Sequence, residues 1–512
     1  MSRKTAISIG KVGLIKGFAK ALAFLKTILI AKFFGASGMT DAWYVAYTIP
    51  EMLTSFLGFQ DIKGATTSIF SHYDESNPSE FNRAFSAIFN MLLILGFVVS
   101  IIAVVFAGFL VSITAHDLDP ELLELATELA RIVLPVIVFM GLSNFLMSVL
   151  NSREFFLVPA IVQLMSNIIA VSIILLLHKH LGINSVAWGI LLGWFGAMII
   201  QIPFMLKAKI KYKPFYFGEF KAIKSFITFF SPLFIPIFAS QINALVIKNL
   251  GSTLRPLGKI TAYSYAILIV GSIISLAVEP FTIVLLPRIS RLVAQEAFEK
   301  LGKLVQRYAK YFMIIFLPIS TFMILNTPAI VSIVFQRGEF DKYAHSITSI
   351  ALIAASTSIL PWAMNLYYKL YFLAMKQTRT IATIDVITIA FHIGMNFLLT
   401  HLFGLFGLVF AATLAYTARF LIYGIITGKN LKQCNFTKLL LYLLGLLPSA
   451  GLLLLISYLG KTYLHFDSQY NDLFIVIISF VAGFSVYFGT LYILRNREII
   501  DISHRVLRKI KK

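Results

Sequence analysis

Long apolar runs separated by short polar gaps recur along all 512 residues. About fourteen can be placed, near 10–33, 42–60, 84–114, 123–150, 156–177, 184–206, 225–249, 259–287, 308–335, 344–375, 380–401, 405–428, 438–460 and 472–494. Each is close to the roughly 20 residues that cross about 30 Å of hydrocarbon. Backbone groups in lipid must be satisfied inside their own segment, so every run is predicted to be helical. The pattern therefore predicts an all-α polytopic membrane protein. Pro50, Pro135, Pro203, Pro236, Pro280, Pro318 and Pro361 fall inside runs and predict kinks.

The polar gaps alternate in charge. Most of the 44 lysines and arginines lie in the tails and every second gap: Arg3, Lys4 and Lys11; Lys63 and Arg83; 207–224; Arg288 to Lys310; Lys429 to Lys438; Arg495 to Lys512. The intervening gaps are poor in cations, and His116-Asp-Leu-Asp-Pro-Glu121 is acidic. Under the positive-inside rule, both termini are expected in the cytoplasm, which requires an even number of spans.

Composition narrows the class further. A 58% hydrophobic share, 13% charged residues and a mean hydropathy of +0.85 exclude a soluble globular domain. The topology rule accounts for the net charge of +21, with membrane lipids rather than nucleic acid as the anionic partner. One cysteine, Cys434, permits no internal disulfide and lacks a metal-ligand set. No cleavable signal is read at the N-terminus.

The chain reads as two related halves. Lys32-Phe-Phe-Gly35 with Ala42-Trp43 is echoed by Lys248-Asn-Leu-Gly251 with Ala262-Tyr263. Leu150 and Arg153 parallel Leu373 and Lys376. This predicts an N-lobe of six helices over 1–222, a C-lobe of six over 223–432, and a helix pair with a basic tail over 433–512.

Charges inside spans carry the candidate chemistry, because a lysine at mid-membrane costs roughly 2.5–3.5 kcal/mol. The first span holds Lys16, Lys20 and Lys26. At 100° per residue these share an arc of about 140° with Ala19, Ala23, Thr27 and Ala31. Either this face lines a hydrated cavity that accepts an anionic headgroup, or Lys16 snorkels and the others pair with Glu51. Glu279 and Asp385 are further acids within spans, and Lys369, Arg131 and Arg419 the other buried-looking cations. Depth counting places Lys16, Glu279 and Lys369 in one possible layer, as a structural ion pair or a substrate site. Asn243, Asn144, Asn167 and Gln163 suit interhelical hydrogen bonding. Gly460-Lys461-Thr462 lacks the earlier glycine of a phosphate loop, and the histidines are scattered. Neither an enzyme nor a cofactor is expected.

Several stretches together resemble the MurJ/MviN family of lipid II flippases, within the superfamily of polysaccharide exporters and drug antiporters. They are Ala31-Lys-Phe-Phe-Gly35 through Asp41-Ala42 and Ile49-Pro50; Val149-Leu-Asn151 with Pro159-Ala160; Leu285-Leu-Pro-Arg-Ile-Ser-Arg-Leu292; Phe335-Gln-Arg-Gly-Glu-Phe340; and Tyr371-Phe-Leu-Ala with Thr378-Arg-Thr380. The resemblance implies two lobes around a cavity, alternating access, and a groove for a lipid tail on helices 13 and 14. It also exposes departures. The family's Ser-Arg and Arg-Asp pairs in helix 1 read here as Ala19-Lys20 and Lys26-Thr27. An arginine usual in helix 2 falls at Thr54 or Ser55, and one in helix 8 at Leu268. Lysine binds phosphate as a point charge and lacks the guanidinium fork. The expectation is a monomeric bacterial cytoplasmic-membrane flippase for an anionic lipid-linked precursor, bound by Lys16, Lys20, Lys26, Thr27, Glu51, Asn243, Glu279 and Lys369, with Na⁺ or H⁺ as a possible coupling ion. The alternatives are an ion-coupled small-molecule antiporter and a non-transporting membrane scaffold.

Overall fold

The computed structural model describes residues 3–59, 62, 66, 70, 78–230, 234–463, 471–496 and 498–500. The side chains of Arg3, Lys4 and Lys11, all of Lys63, and the basic tail beyond 500 lie outside what is described. Every regular element among the described residues is a helix. Ten helices are long and apolar enough to cross a membrane, and an eleventh span forms if the bent pair Lys342–Ser356 and Ile359–Ala374 counts as one.

Three sequence features bring this number toward the fourteen apolar runs. The helix Thr378–Asn430 is 53 residues long and breaks at Gly404, with φ +57°. A Cβ on Gly407 would stand 1.8 Å from the carbonyl oxygen of Leu399. Eight residues of straight helix would separate these by about 12 Å, so the chain folds back and two runs share the element. The first helix, α1 (Arg3–Phe34), is too rich in lysine to meet an apolar criterion, and α2 (Gly38–Phe56) is diluted by Asp41 and Glu51.

Proline and loop chemistry set the remaining breaks. The run at 123–150 divides into α5 (Pro120–Val133) and α6 (Val136–Ser152) at Pro135, which has no N–H to give. The run at 84–114 is α3 (Pro78–Val105) followed by α4 (Ala107–Thr114). Next come α7 (Val158–Leu181), α8 (Asn184–Ile199), α9 (Ile202–Lys207), α10 (Phe220–Phe230), α11 (Phe234–Thr253) and α12 (Lys259–Ala294). The chain ends with α13 (Phe298–Phe335), α14 (Lys342–Ser356), α15 (Ile359–Ala374), α16 (Thr378–Asn430), α17 (Phe436–Tyr463) and α18 (Asn471–Ile493). The 43° bend between α14 and α15 precedes Pro361.

The helices gather into two compact units. One comprises residues 1–261 and 337–340, the other 262–336 and 341–512. In the first unit, α7 lies against both α1 and α8. Gly189 and Gly193 permit the second approach, since a Cβ at either would meet the carbonyl of Ala170 or Ser166 within 3.0 Å. Packing of α2 on α5 and of α3 on α6 completes a core rich in Phe81, Phe85 and Phe145. In the second unit the long α13 touches α14, α15, α17 and α18, while Phe312, Phe316 and Tyr367 are fully buried around it.

Candidate functional site

The first unit concentrates charge on α2. Positions 41, 44, 48 and 51 recur at three or four residues, so Asp41, Tyr44, Thr48 and Glu51 share a face. Glu51 follows Pro50 and is solvent-accessible. Its cationic neighbours are Lys248 of α11 first and Lys26 of α1 second. The Lys248 ammonium also lies 5.4 Å from the Tyr44 ring centroid and interacts with Asp41. Lys26 reaches Asn167 Oδ1 of α7 at 3.4 Å, a long contact.

Asp41 has a different task. It is 2% exposed and accepts three hydrogen bonds, from the Gly258 and Thr261 amides at 2.7 Å each and the Thr261 hydroxyl at 2.6 Å. These donors belong to the start of α12, whose first amides have no partner within the helix. A carboxylate there satisfies them and meets the positive end of the helix dipole. A second closure forms nearby: the Glu339 amide donates to the Lys32 carbonyl at 2.9 Å. Gly35 and Gly338 both have positive φ, and a Cβ on either would strike the opposite backbone. Two motifs some 300 residues apart in sequence thus meet at the end of α1. The acidic gap is tied down as well, with Arg255 bonding the Asp117 carbonyl and lying 3.2 Å from Asp119 Oδ1.

The other sequence candidates divide. Asn167 bonds between helices, donating to Ala19 O at 3.3 Å, and Asn144 donates to Phe59 O, just beyond the end of α2, at 3.1 Å. The residues of the cationic face of α1 differ in their surroundings. Ala19 is buried, Lys26 contacts α7, and Lys20 lies about 120° round the helix from Lys26. Lys16 and Lys20 are half-buried, and Thr27 is buried with its hydroxyl 3.4 Å from its own helix's Ala23 carbonyl. Asn243 is buried on α11; Glu279 is exposed on α12.

Lys369 meets an acid of its own unit. Lys369 bonds Asp385 Oδ2 at 2.8 Å, and Arg419 lies 3.3 Å from Asp385 Oδ1 while donating to Thr388 Oγ1 at 2.7 Å. The acid that Lys369 meets is thus one helix further on, because α15 and α16 pack side by side. The expectation that Arg131 is buried is corrected: it is exposed, since it follows the buried Leu129 and Ala130 on the opposite side of α5. Lys248 and the capping role of Asp41 were not singled out from sequence. The signal for Lys248 was present in its correspondence with Lys32 between the two halves.

The family model described as lipid II flippase MurJ matches residues 30–482. A probable lipid II flippase MurJ of Buchnera aphidicola subsp. Schizaphis graminum is 26% identical over 471 residues, covering 89% of this chain and 90% of that protein. The lipid II flippase MurJ of Burkholderia cenocepacia is 23% identical, covering 67% and 69%. The solved inward closed conformation of a lipid II flippase MurJ superposes with a TM-score of 0.78 at 22% identity, covering 94% of this chain and 99% of that one. An inward-facing multidrug MATE transporter of the MOP superfamily gives 0.69 at 12% identity, covering 82% and 96%. With the helical fold, the ordered motifs and a family match across most of its length, the chain belongs to the MurJ family of lipid II flippases.

Proposed function

We infer that this protein translocates lipid II across the membrane by alternating access. The observation that carries the site is the sharing of Glu51 between Lys248 and Lys26. Two ammonium groups attracted by one carboxylate can exchange that partner for a diphosphate, which offers more negative charge. Glu51 would then be released as substrate arrives and recaptured as it leaves. Lysines attract such a group without fixing its orientation, in contrast to the arginine pairs usual in the family. Lys16, Lys20, Thr27 and Asn243 extend the same polar path in this reading. Glu279 and Lys369 serve the second half, Lys369 as a fixed counter-ion of Asp385.

A tail site is supported by an apolar cavity of about 460 Å³ between α17 and α18, lined by Ile456, Leu459, Gly460, Tyr463, Ile478 and Ala482. The lobe division at 222 and 432, cytoplasmic termini, residence in the bacterial cytoplasmic membrane, a monomeric state and any Na⁺ or H⁺ coupling belong to this proposal. Asp385 is a poor cation site because a basic group occupies each of its oxygens, which counts against an antiporter driven through that residue.

The test is flipping in proteoliposomes, comparing lipid II with other polyprenyl-phosphate lipids for wild type, Glu51→Gln and Lys248→Gln. Lipid II transport in wild type, lost in Lys248→Gln with folding preserved, supports the site. Full transport by Lys248→Gln removes Lys248 from it, and the absence of lipid II transport in wild type overturns the function.

A further inference from the structure

The segment joining α9 to α10 is built differently from an ordinary connecting loop. Residues 207–224 hold six lysines and one acid, Glu219, which lies 3.2 Å from Arg83. Lys209 closes the end of α9 with φ +56°, its amide donating to the Leu206 carbonyl, and residues 210–213 beyond it form no helix. Ile210 is buried, and the Tyr212 hydroxyl donates to Asn90 Oδ1 at 2.6 Å. Lys209, Lys211 and Lys213 are all exposed, and Tyr212 between two of them is 45% exposed.

A dedicated set of buried polar residues holds this comb in place. Asn82 Oδ1 accepts from the Lys211 amide and Ser86 Oγ from the Lys213 amide, both at 2.9 Å. Asn90 Nδ2 donates to the carbonyls of Lys213 and Tyr216 at 3.0 and 3.1 Å. These three residues recur every fourth position along α3, a rise of about 6 Å per step, and the first two meet amides two residues apart in the segment. Beyond the comb, Phe215 is 85% exposed and Phe220 is 75% exposed. Two large aromatic rings beside six ammonium groups suit a wet, anionic boundary and fit neither bulk water nor hydrocarbon. The segment lies between the membrane-crossing stretches Asn184–Lys207 and Phe234–Thr253, which places it at a leaflet surface.

We propose that residues 207–224 are a binding platform for anionic phospholipid headgroups. Lys209, Lys211 and Lys213 contact the phosphodiesters of the surrounding leaflet, and Phe215 and Phe220 enter its interface. Charge complementarity selects the partner, since single-charged lipid phosphates spread over a surface match a rigid row of exposed lysines. The platform is independent of the Glu51 site and of the translocated substrate.

The experiment uses the full chain carrying Cys434→Ala and Phe215→Cys labelled with bimane, reconstituted in phosphatidylcholine nanodiscs. An equal fraction of brominated phosphatidylglycerol or brominated phosphatidylcholine is then added. Quenching is expected to be stronger with the glycerol lipid. That excess should fall about fivefold for each of Lys209, Lys211 and Lys213 changed to Gln, and should shrink at high salt in the lysine-intact protein. The salt arm keeps the test valid if a triple variant folds poorly. Equal quenching by the two lipids, no quenching by either, or an excess that survives salt and the substitutions each overturns the proposal. So does loss of the excess on adding soluble pyrophosphate at constant ionic strength, which would make the comb a site for free phosphate.

Discussion

Replacing Asp41 tests the most tightly specified contact in the first unit. Asp41→Ala removes the acceptor for two buried amides and one hydroxyl. Loss of an N-cap residue costs about 0.5–2 kcal/mol, and a buried donor left without a partner about 1–3 kcal/mol. Water reaching the site would recover part of this, so the net loss should be about 3–5 kcal/mol. At roughly 2–4 °C per kcal/mol for a domain of this size, melting should fall by about 6–20 °C. Tryptophan fluorescence is a suitable reporter, because Trp43, Trp188 and Trp194 all lie in the same unit as Asp41. Asp41→Asn keeps one carbonyl oxygen and should give an intermediate shift. Thr261→Val removes only the hydroxyl donor and should give the smallest. A melting curve for Asp41→Ala that overlays wild type would refute the capping argument, and so would Asp41→Asn being as damaging as Asp41→Ala.

The second unit offers a parallel test: Asp385→Asn leaves Lys369 and Arg419 facing each other without their anion, and should lower stability by about 3–5 kcal/mol in a thermal melt. Arg419→Met with Asp385→Asn should recover part of that loss, and no recovery would mean the pair is uncoupled. Cys434 is 1% exposed, and burial pushes its thiol up to about 11. The reactive thiolate is therefore scarce below that pH, and alkylation of the folded protein should keep accelerating as pH rises toward it. A rate that levels off near the ordinary 9.0 would contradict this. For topology, single cysteines at His116 and Lys211, in a Cys434→Ala background, should label from opposite sides of the membrane. Labelling of both from one side would break the alternation of gaps.

The sequence alone determined the class of the protein and the approximate positions of its spans. Hydrocarbon tolerates few polar residues and no unsatisfied backbone, so membrane helices are written in local composition and can be read without knowing their neighbours. The departures came where a helix is held by its partners rather than by its own apolarity. α1 and α2 carry lysines and acids that only the surrounding helices make tolerable, and the break at Gly404 hides two runs inside one element. The motifs around Gly35, Asp41 and Gly338 were legible as a resemblance, yet their purpose was not. That Asp41 caps α12, and that the Glu339 amide closes on the Lys32 carbonyl, follow from contacts between residues more than 200 positions apart. The same limit governed the charges. Lys26, Glu51 and Lys369 stood out because each is costly in lipid, but Coulomb attraction depends on distance and not on sequence separation. Tertiary structure alone decided that Lys248 shares Glu51 and that Lys369 meets Asp385.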